Sequence, residues 1–361
     1  MKIVFITRST LYTVPGGDTQ QVLQTARMLN SLQVVVDIIL TNEKINYQQY
    51  DLLHFFNITR PADILKHITQ SKKPFVVSAI LIDYSFYDKQ HRGGWTGKIF
   101  NALSADGIEY IKTIYRFVKG KDKLVSTNYL WKGQRRSIRE ILQKASCVFV
   151  QAEEEYWELV KKYNVLPAFE LIYNGVDTEL FKPDHAVERQ QNLVLCVARI
   201  EGIKNQYNLI KALSNTDYQL VLIGNAAPNQ QRYYQQCKKI AGKNIRFIDH
   251  LPQQELAGYY AAAKIHILPS WFEICGLSSM EAAAMGCNII ITHNGYAKSY
   301  FKEDAFYCDP GQPESIYEAV QNAVAETKNK LQEKISNNYT WKKTAEQTLS
   351  VYKKNIAQWS H

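Results

Sequence analysis

Residues 265–292 read IHILPSWFEICGLSSMEAAAMGCNIIIT. IHIL is a short apolar, β-branched run. PSWFE carries loop residues. SSMEAAAMG is an alanine-rich helix closed by Gly286, and NIIIT is the next strand. A strand, a loop, a helix and a strand in that order argue for a parallel sheet with helices on its faces. The stretch also places Glu273 just before the helix and Glu281 on its first turn, with Gly276 between them. One reading of Glu281 is structural, because Ser278 and Glu281 fit the S-x-x-E capping box. The other is functional. Gly276 lets backbone amides at the helix start point at a phosphate. Glu273 then accepts hydrogen bonds from sugar hydroxyls, and Glu281 from ribose hydroxyls, as acidic residues do in dinucleotide sites.

The same strand signal recurs on both sides. In the first half it is found at 2–7, 34–40, 51–56, 74–80, 147–151 and 169–173. In the second half it is found at 193–198, 219–223, 245–248, 265–269, 288–292 and 305–308. Near-continuous Val, Ile and Leu marks strands buried on both faces. The 361 residues suit two domains. Turn residues and charges replace periodicity near 174–191, and 341–359 reads as one long helix. The expected division is 1–180, 181–340 and a C-terminal segment 341–361. Residues 84–140 are irregular and read as an insertion of helices and loops in the first domain.

No run of apolar residues is long enough to span a membrane. The opening MKIVFITRST reads as a first strand rather than a signal peptide. Six cysteines, at 147, 196, 237, 275, 287 and 308, form no CxxC pair and no zinc spacing. A reduced, cytoplasmic protein without structural metal is expected. The formal charge is +9, and it is concentrated. Residues 89–144 hold thirteen Lys and Arg against four Asp and Glu, so 13 − 4 = +9 in that segment alone. Trp95, Phe100, Tyr110, Tyr115, Phe117, Tyr129 and Trp131 are interleaved. That mixture suits anionic lipid headgroups. It also fits a plain solvated helical face, and less well single-stranded nucleic acid, so no nucleic-acid partner is expected.

In open α/β sheets, ligands bind beyond the carboxyl ends of the strands. After the first strand, Gly16 and Gly17 precede apolar residues at 22, 23, 26, 28 and 29, which is helical spacing. A glycine turn before a helix suits close approach of a phosphate, or is only a turn. After the seventh strand come Arg199 and Lys204, two cations able to neutralise a pyrophosphate, or two ordinary surface cations.

Taken together the chain resembles glycosyltransferase family 4, retaining enzymes of the GT-B fold. The Glu-x7-Glu signature stands as Glu273 to Glu281. PGGD (15–18) resembles the family's glycine loop, YNGVDTELFKP (173–183) its interdomain segment, and ARIEGIK (198–204) its Arg-Lys phosphate pair. The resemblance implies two Rossmann-like, doubly wound domains facing across a cleft, with the C-terminal helix crossing back to the first. It implies that Arg199 and Lys204 bind the donor diphosphate, that Glu273 contacts the transferred sugar, and that Glu281 meets the ribose. Amides near Gly276, Leu277 and Ser278 would meet phosphate, and Gly16 and Gly17 would close over the donor. No metal or other cofactor is expected. The family's usual histidine after the strand in PFVVSAILIDYS is missing. Asp83, with Asp18, is the acceptor-side candidate in its place. The expected activity is transfer of a hexose from a UDP- or GDP-linked sugar to a glycan or lipid-linked acceptor in bacterial surface polysaccharide or glycoconjugate synthesis. Attachment to the inner face of the plasma membrane through 89–144 is the further expectation. A catalytically silent carbohydrate- or membrane-binding scaffold and a sugar-nucleotide epimerase are the alternatives.

Overall fold

The computed structural model describes residues 1–90, 101, 103–120, 122–124, 126–183, 187–327 and 330–359. These form two compact units. One takes in the chain up to Tyr173 together with the C-terminal helix Trp341–Trp359, and the other is Asn174–Thr340.

The first unit is built on six parallel strands: β1 Lys2–Thr7, β2 Val35–Leu40, β3 Leu52–Phe56, β4 Phe75–Ser78, β5 Cys147–Val150 and β6 Phe169–Leu171, in the order β2-β1-β3-β4-β5-β6. All residues of β3, β4 and β5 are buried. That is why these segments read as continuous apolar runs rather than as an alternation. One buried polar side chain, His54, joins β3 to the C-terminal helix. Its Nδ1 lies 2.5 Å from the Tyr352 hydroxyl and its Nε2 2.8 Å from Ser78 Oγ. Burial pushes its pKa down to about 3, so the ring is neutral. Thr344 Oγ1 donates to the Tyr173 carbonyl at 2.8 Å. The same helix packs along Gly17–Ser31.

Between β4 and β5 lie the helices Ser85–Gln90, Ala105–Val118 and Asn128–Lys144. Trp95 and Phe100 fall outside the described residues. No described helix is long and apolar enough to cross a membrane.

The second unit repeats the plan with β7 Gln190–Val197, β8 Gln219–Ile223, β9 Ile245–Ile248, β10 Ala263–Leu268, β11 Asn288–Thr292 and β12 Phe306–Cys308. The order is β12-β11-β10-β7-β8-β9, again all parallel. Each sheet therefore has a point where the chain stops winding one way and starts winding the other. In the first sheet it lies between β1 and β3, and in the second between β7 and β10. The loops beyond the strand ends diverge at such points and leave a crevice for ligand.

Candidate active site

The second crevice gathers most of the donor-side candidates. The loop after β7 is fixed by Ala198 N–H to the Ile223 carbonyl at 3.1 Å and by Ile200 N–H to Asn225 at 2.9 Å. Arg199 then projects its guanidinium to Glu201 at 3.0 Å, with its side chain still 40% exposed. Lys204 ends a single 3-10 turn, Gly202–Lys204. Asn205 follows in the left-handed region at φ 58° and donates Nδ2 to the carbonyls of Pro269 at 3.1 Å and Pro310 at 2.7 Å. Trp271 N–H donates to Ile203 at 2.9 Å. The loops after β7 and β10 are therefore one hydrogen-bonded body.

Glu273 is 7% exposed. A carboxylate buried to that degree needs partners. It has Lys204 Nζ at 2.5 Å and Ser270 Oγ at 2.7 Å, both on Oε1. Glu273 and Lys204 thus form an ion pair across the crevice, rather than standing apart as a loop carboxylate and a surface cation. The backbone of Glu273 is clamped as well. Its N–H donates to Asn294 at 3.1 Å and its carbonyl accepts from Tyr296 at 2.8 Å. Between those two bonds sits Gly295 at φ 102°, where an added Cβ would fall 2.1 Å from the Glu273 carbonyl oxygen.

Gly276 caps the helix Leu277–Ala284 at φ 62°, a left-handed conformation that favours glycine. The first helical bonds are made by Ser279 and Met280 to the Gly276 carbonyl. The amides of Leu277 and Ser278 precede those bonds and belong to the group that a helix start leaves over. The capping-box expectation fails here. Ser278 Oγ donates to the Val197 carbonyl at 2.8 Å and ties the helix start to the end of β7. Glu281 turns instead toward the helix Gln253–Ala262. It accepts from Gln253 Nε2 on one oxygen and from the Tyr260 hydroxyl on the other, each at 3.1 Å. Because Gly276 is the cap, Ser278 sits two residues too deep in the helix for that role. Burial pushes the Glu281 pKa up to about 7, against the pull of Tyr260 and Gln253.

The remaining candidates lie in the first unit. Gly16 precedes the helix Gly17–Ser31, and its N–H donates to Thr19 Oγ1 at 3.1 Å. Asp18 is gripped by Arg8, from Nε at 2.6 Å and Nη2 at 3.0 Å. Arg8 also donates to the carbonyls of Thr10 and Val14, both at 2.8 Å, so it shapes the whole glycine loop. Asp83 accepts from Ser85 N–H at 2.8 Å and faces Lys162 at 3.6 Å. Burial raises its pKa, but Ser85 and Lys162 outweigh that and hold it below the usual carboxylate value.

Sequence reasoning missed Arg8, Asn205, Ser270, Tyr260 and Gly295. Only Arg8, directly after a strand, carried a local signal.

Two parallel six-stranded sheets with flanking helices define the GT-B class. Solved structures agree on the fold. Sucrose-phosphate synthase from Thermosynechococcus elongatus superposes with a TM-score of 0.76 at 18% identity, over 99% of this chain and 100% of that one. Anabaena HepE in complex with UDP-glucose superposes with a TM-score of 0.70 at 16% identity, over 98% and 100%. The family model described as "Glycosyl transferases group 1" matches residues 177–341, nearly the whole second unit. A D-inositol 3-phosphate glycosyltransferase from Corynebacterium glutamicum (strain R) is 27% identical over 61% of this chain, and the match spans 60% of that relative's length. An N-acetylgalactosamine-N,N'-diacetylbacillosaminyl-diphospho-undecaprenol 4-alpha-N-acetylgalactosaminyltransferase from Campylobacter jejuni is 22% identical over 82% of this chain and 83% of that relative.

Proposed function

We propose that this protein is a retaining glycosyltransferase that moves a hexose from a nucleoside-diphosphate sugar to a glycan or lipid-linked acceptor. The observation that carries the reading is the second unit's crevice. Arg199, the Lys204–Glu273 pair, two leftover helix amides and the held Glu281 meet there at one switch point. In this reading Arg199, Lys204 and the helix start bind the diphosphate. Glu273 meets the hexose and Glu281 the ribose. Relatives named as glycosyltransferases support the activity, and a GT-B neighbour held with UDP-glucose supports a UDP-linked donor.

The bond between the anomeric carbon and the phosphate oxygen breaks as the bond to the acceptor oxygen forms. Negative charge grows on the leaving phosphate, where fixed donors stabilise it. A route through two carboxylates about 5 Å apart, as in retaining glycosidases, does not suit a Glu281 turned to Tyr260. Attack therefore comes on the leaving-group face, and the departing phosphate takes the acceptor's proton. Arg199 and Lys204 supply the cations, so no metal is needed.

Labelled nucleotide sugars distinguish the alternatives. Sugar transfer, or slow hydrolysis to the nucleoside diphosphate, supports the transferase. Isomerised donor means an epimerase, and an unchanged donor with every nucleotide means a binding scaffold.

Glu281 sets a pH dependence. An ionised carboxylate accepts from ribose hydroxyls on both oxygens, and a protonated one has lost an acceptor. Nucleotide affinity is expected to rise as pH rises through about 7, the value to which burial lifts this group. Glu281→Gln removes that rise. Calorimetry at pH 6 and pH 8 reads it, and an unchanged slope in the variant removes Glu281 from the ribose. For folding the sign is opposite. A raised carboxyl stabilises fully below its ordinary value, and that contribution is lost as pH climbs through about 7.

We also place the first unit at an anionic membrane surface on the cytoplasmic side, in synthesis of bacterial surface polysaccharide or glycoconjugate. The helix Ala105–Val118 exposes Ile111, Tyr115 and Val118 at helical spacing, and Trp131 is 88% exposed. Lys119, Lys123, Arg136 and Arg139 are exposed in the same segment. Aromatic anchors beside cations fit anionic headgroups. Co-sedimentation with phosphatidylglycerol vesicles at low salt is expected, weakened in Trp131→Ala. Equal recovery with neutral and anionic vesicles would contradict it.

A further inference from the structure

The two oxygens of Glu281 are used evenly. Gln253 Nε2 donates to Oε1 and the Tyr260 hydroxyl donates to Oε2, each at 3.1 Å, and no other hydrogen bond reaches this carboxylate among the described residues. An ionised carboxylate offers about two acceptor positions on each oxygen. The protein therefore fills one position on each oxygen and leaves one on each, side by side. Neither donor can be reversed. A carboxylate has no proton to return, so Gln253 must present its NH2 and Tyr260 its O–H. The side chain of Glu281 stays partly exposed, so the two remaining positions can meet a ligand.

Both donors come from one helix, Gln253–Ala262. Tyr260 is fully buried. Its ring meets Phe181 and His266 edge-on, with centroids 5.8 Å away in each case. Its carbonyl accepts from Cys287 Sγ at 3.1 Å and from Arg189 Nη1 at 3.2 Å. The phenol is thus fixed by packing and by its own backbone, and its hydroxyl fixes the Oε2 side of the carboxylate. Gln253, the first residue of the helix, fixes the Oε1 side. A carboxylate free to turn about its side-chain torsions can follow a single ligand hydroxyl. Held by two donors, this one presents a planar pair of acceptor positions in one orientation. Two adjacent hydroxyls on one ring match that pair. A ligand with one hydroxyl leaves an acceptor unpaired, and an unpaired acceptor in a largely buried site costs affinity. Burial lifts Glu281 toward its neutral form, and Tyr260 and Gln253 pull it back toward the ionised, acceptor-only form that a diol needs.

We propose that Tyr260 and Gln253 are positioning residues that make Glu281 a two-point receptor for a vicinal diol, and so set a preference for ribonucleotides over 2′-deoxyribonucleotides. The inference rests on the reading of Glu281 as the ribose contact.

Calorimetry on the full-length protein tests it, with UDP against 2′-deoxy-UDP and GDP against 2′-deoxy-GDP, at pH 8 where Glu281 is ionised. The wild type is expected to bind the ribonucleotide roughly tenfold or more tighter, as one unpaired acceptor implies. Tyr260→Phe keeps the ring and removes only the hydroxyl. It is expected to weaken the ribonucleotide about three- to tenfold and the 2′-deoxy form much less, so the ratio between them falls. Gln253→Ala is expected to do the same from the other oxygen, and it reads the contact even where Tyr260→Phe folds poorly. A merely structural role would weaken both nucleotides by the same factor. That result, or a ratio unchanged in both variants, overturns the proposal. Glu281→Gln separates this failure from failure of the ribose reading. A ratio lost in Glu281→Gln but kept in the other two variants removes Tyr260 and Gln253 alone. A wild type without preference, or a ratio untouched by Glu281→Gln, removes Glu281 from the ribose and this inference with it. A wild type that binds neither UDP nor GDP overturns the donor reading as well.

Discussion

Arg199→Ala is expected to lower kcat for sugar transfer about 10²–10³-fold, the usual cost of removing one fixed donor from a developing oxyanion. The fold should be almost unaffected. The Arg199 side chain is 40% exposed and its ion partner is Glu201, and an exposed pair of that kind contributes little to stability. Lys204→Ala should behave differently. It removes the cation that neutralises Glu273 inside the protein and leaves that carboxylate with Ser270. A buried acceptor stripped of its partner costs about 1–3 kcal/mol, so activity and Tm should fall together. Adding Glu273→Gln to Lys204→Ala should return part of the Tm and none of the activity. Kinetics and thermal unfolding of the three variants check this. An active Arg199→Ala enzyme would remove this cation from the chemistry.

Gly295→Ala is the second large effect. The position combines φ 102° with a Cβ placed 2.1 Å from the Glu273 carbonyl oxygen, and backbone cannot move aside as a flexible side-chain end can. Strain from the positive φ alone is about 1–3 kcal/mol. The clash must additionally break the clamp from Asn294 and Tyr296 that holds Glu273. We expect a loss of roughly 3 kcal/mol or more, within the class of special-conformation substitutions, and loss of transfer at temperatures where the protein is still folded. Gly258→Ala is the control, since that glycine has nothing within 4 Å of an added Cβ. Denaturant unfolding of both variants measures the difference. A Gly295→Ala protein as stable and active as the control would show that the Glu273 loop tolerates displacement.

The fold was legible because its signal is local. Strands buried on both faces must be nearly all apolar, so each of the twelve runs in the sequence falls on one of the twelve strands found among the described residues. The ends were less legible. β7 begins at Gln190, three residues before its apolar run, because pairing with β10 extends it through polar residues. The long C-terminal helix was readable at Trp341–Trp359, but the neutral His54 to which Tyr352 docks was not, since nothing local marks a contact across 298 positions.

In the site, residue types were legible and pairings were not. Glu273 and Lys204 stood out separately, 69 positions apart, and only the adjacency of β7 and β10 makes them one pair. Ser278 illustrates the opposite error. Its spacing to Glu281 matches a local motif, yet the helix begins two residues earlier than that motif needs, and both side chains take long-range partners.

Thermal unfolding in the presence of UDP, GDP, ADP and dTDP, for wild type and Arg199→Ala, tests the central claim most directly. A ligand at 100 times its Kd adds about 2.7 kcal/mol to the folded state. The account predicts a clear rise in Tm with one base above the others, UDP or GDP, lost in Arg199→Ala and steeper at pH 8 than at pH 6. No rise with any nucleoside diphosphate, or a rise indifferent to Arg199, would contradict a donor site in the crevice between β7 and β10.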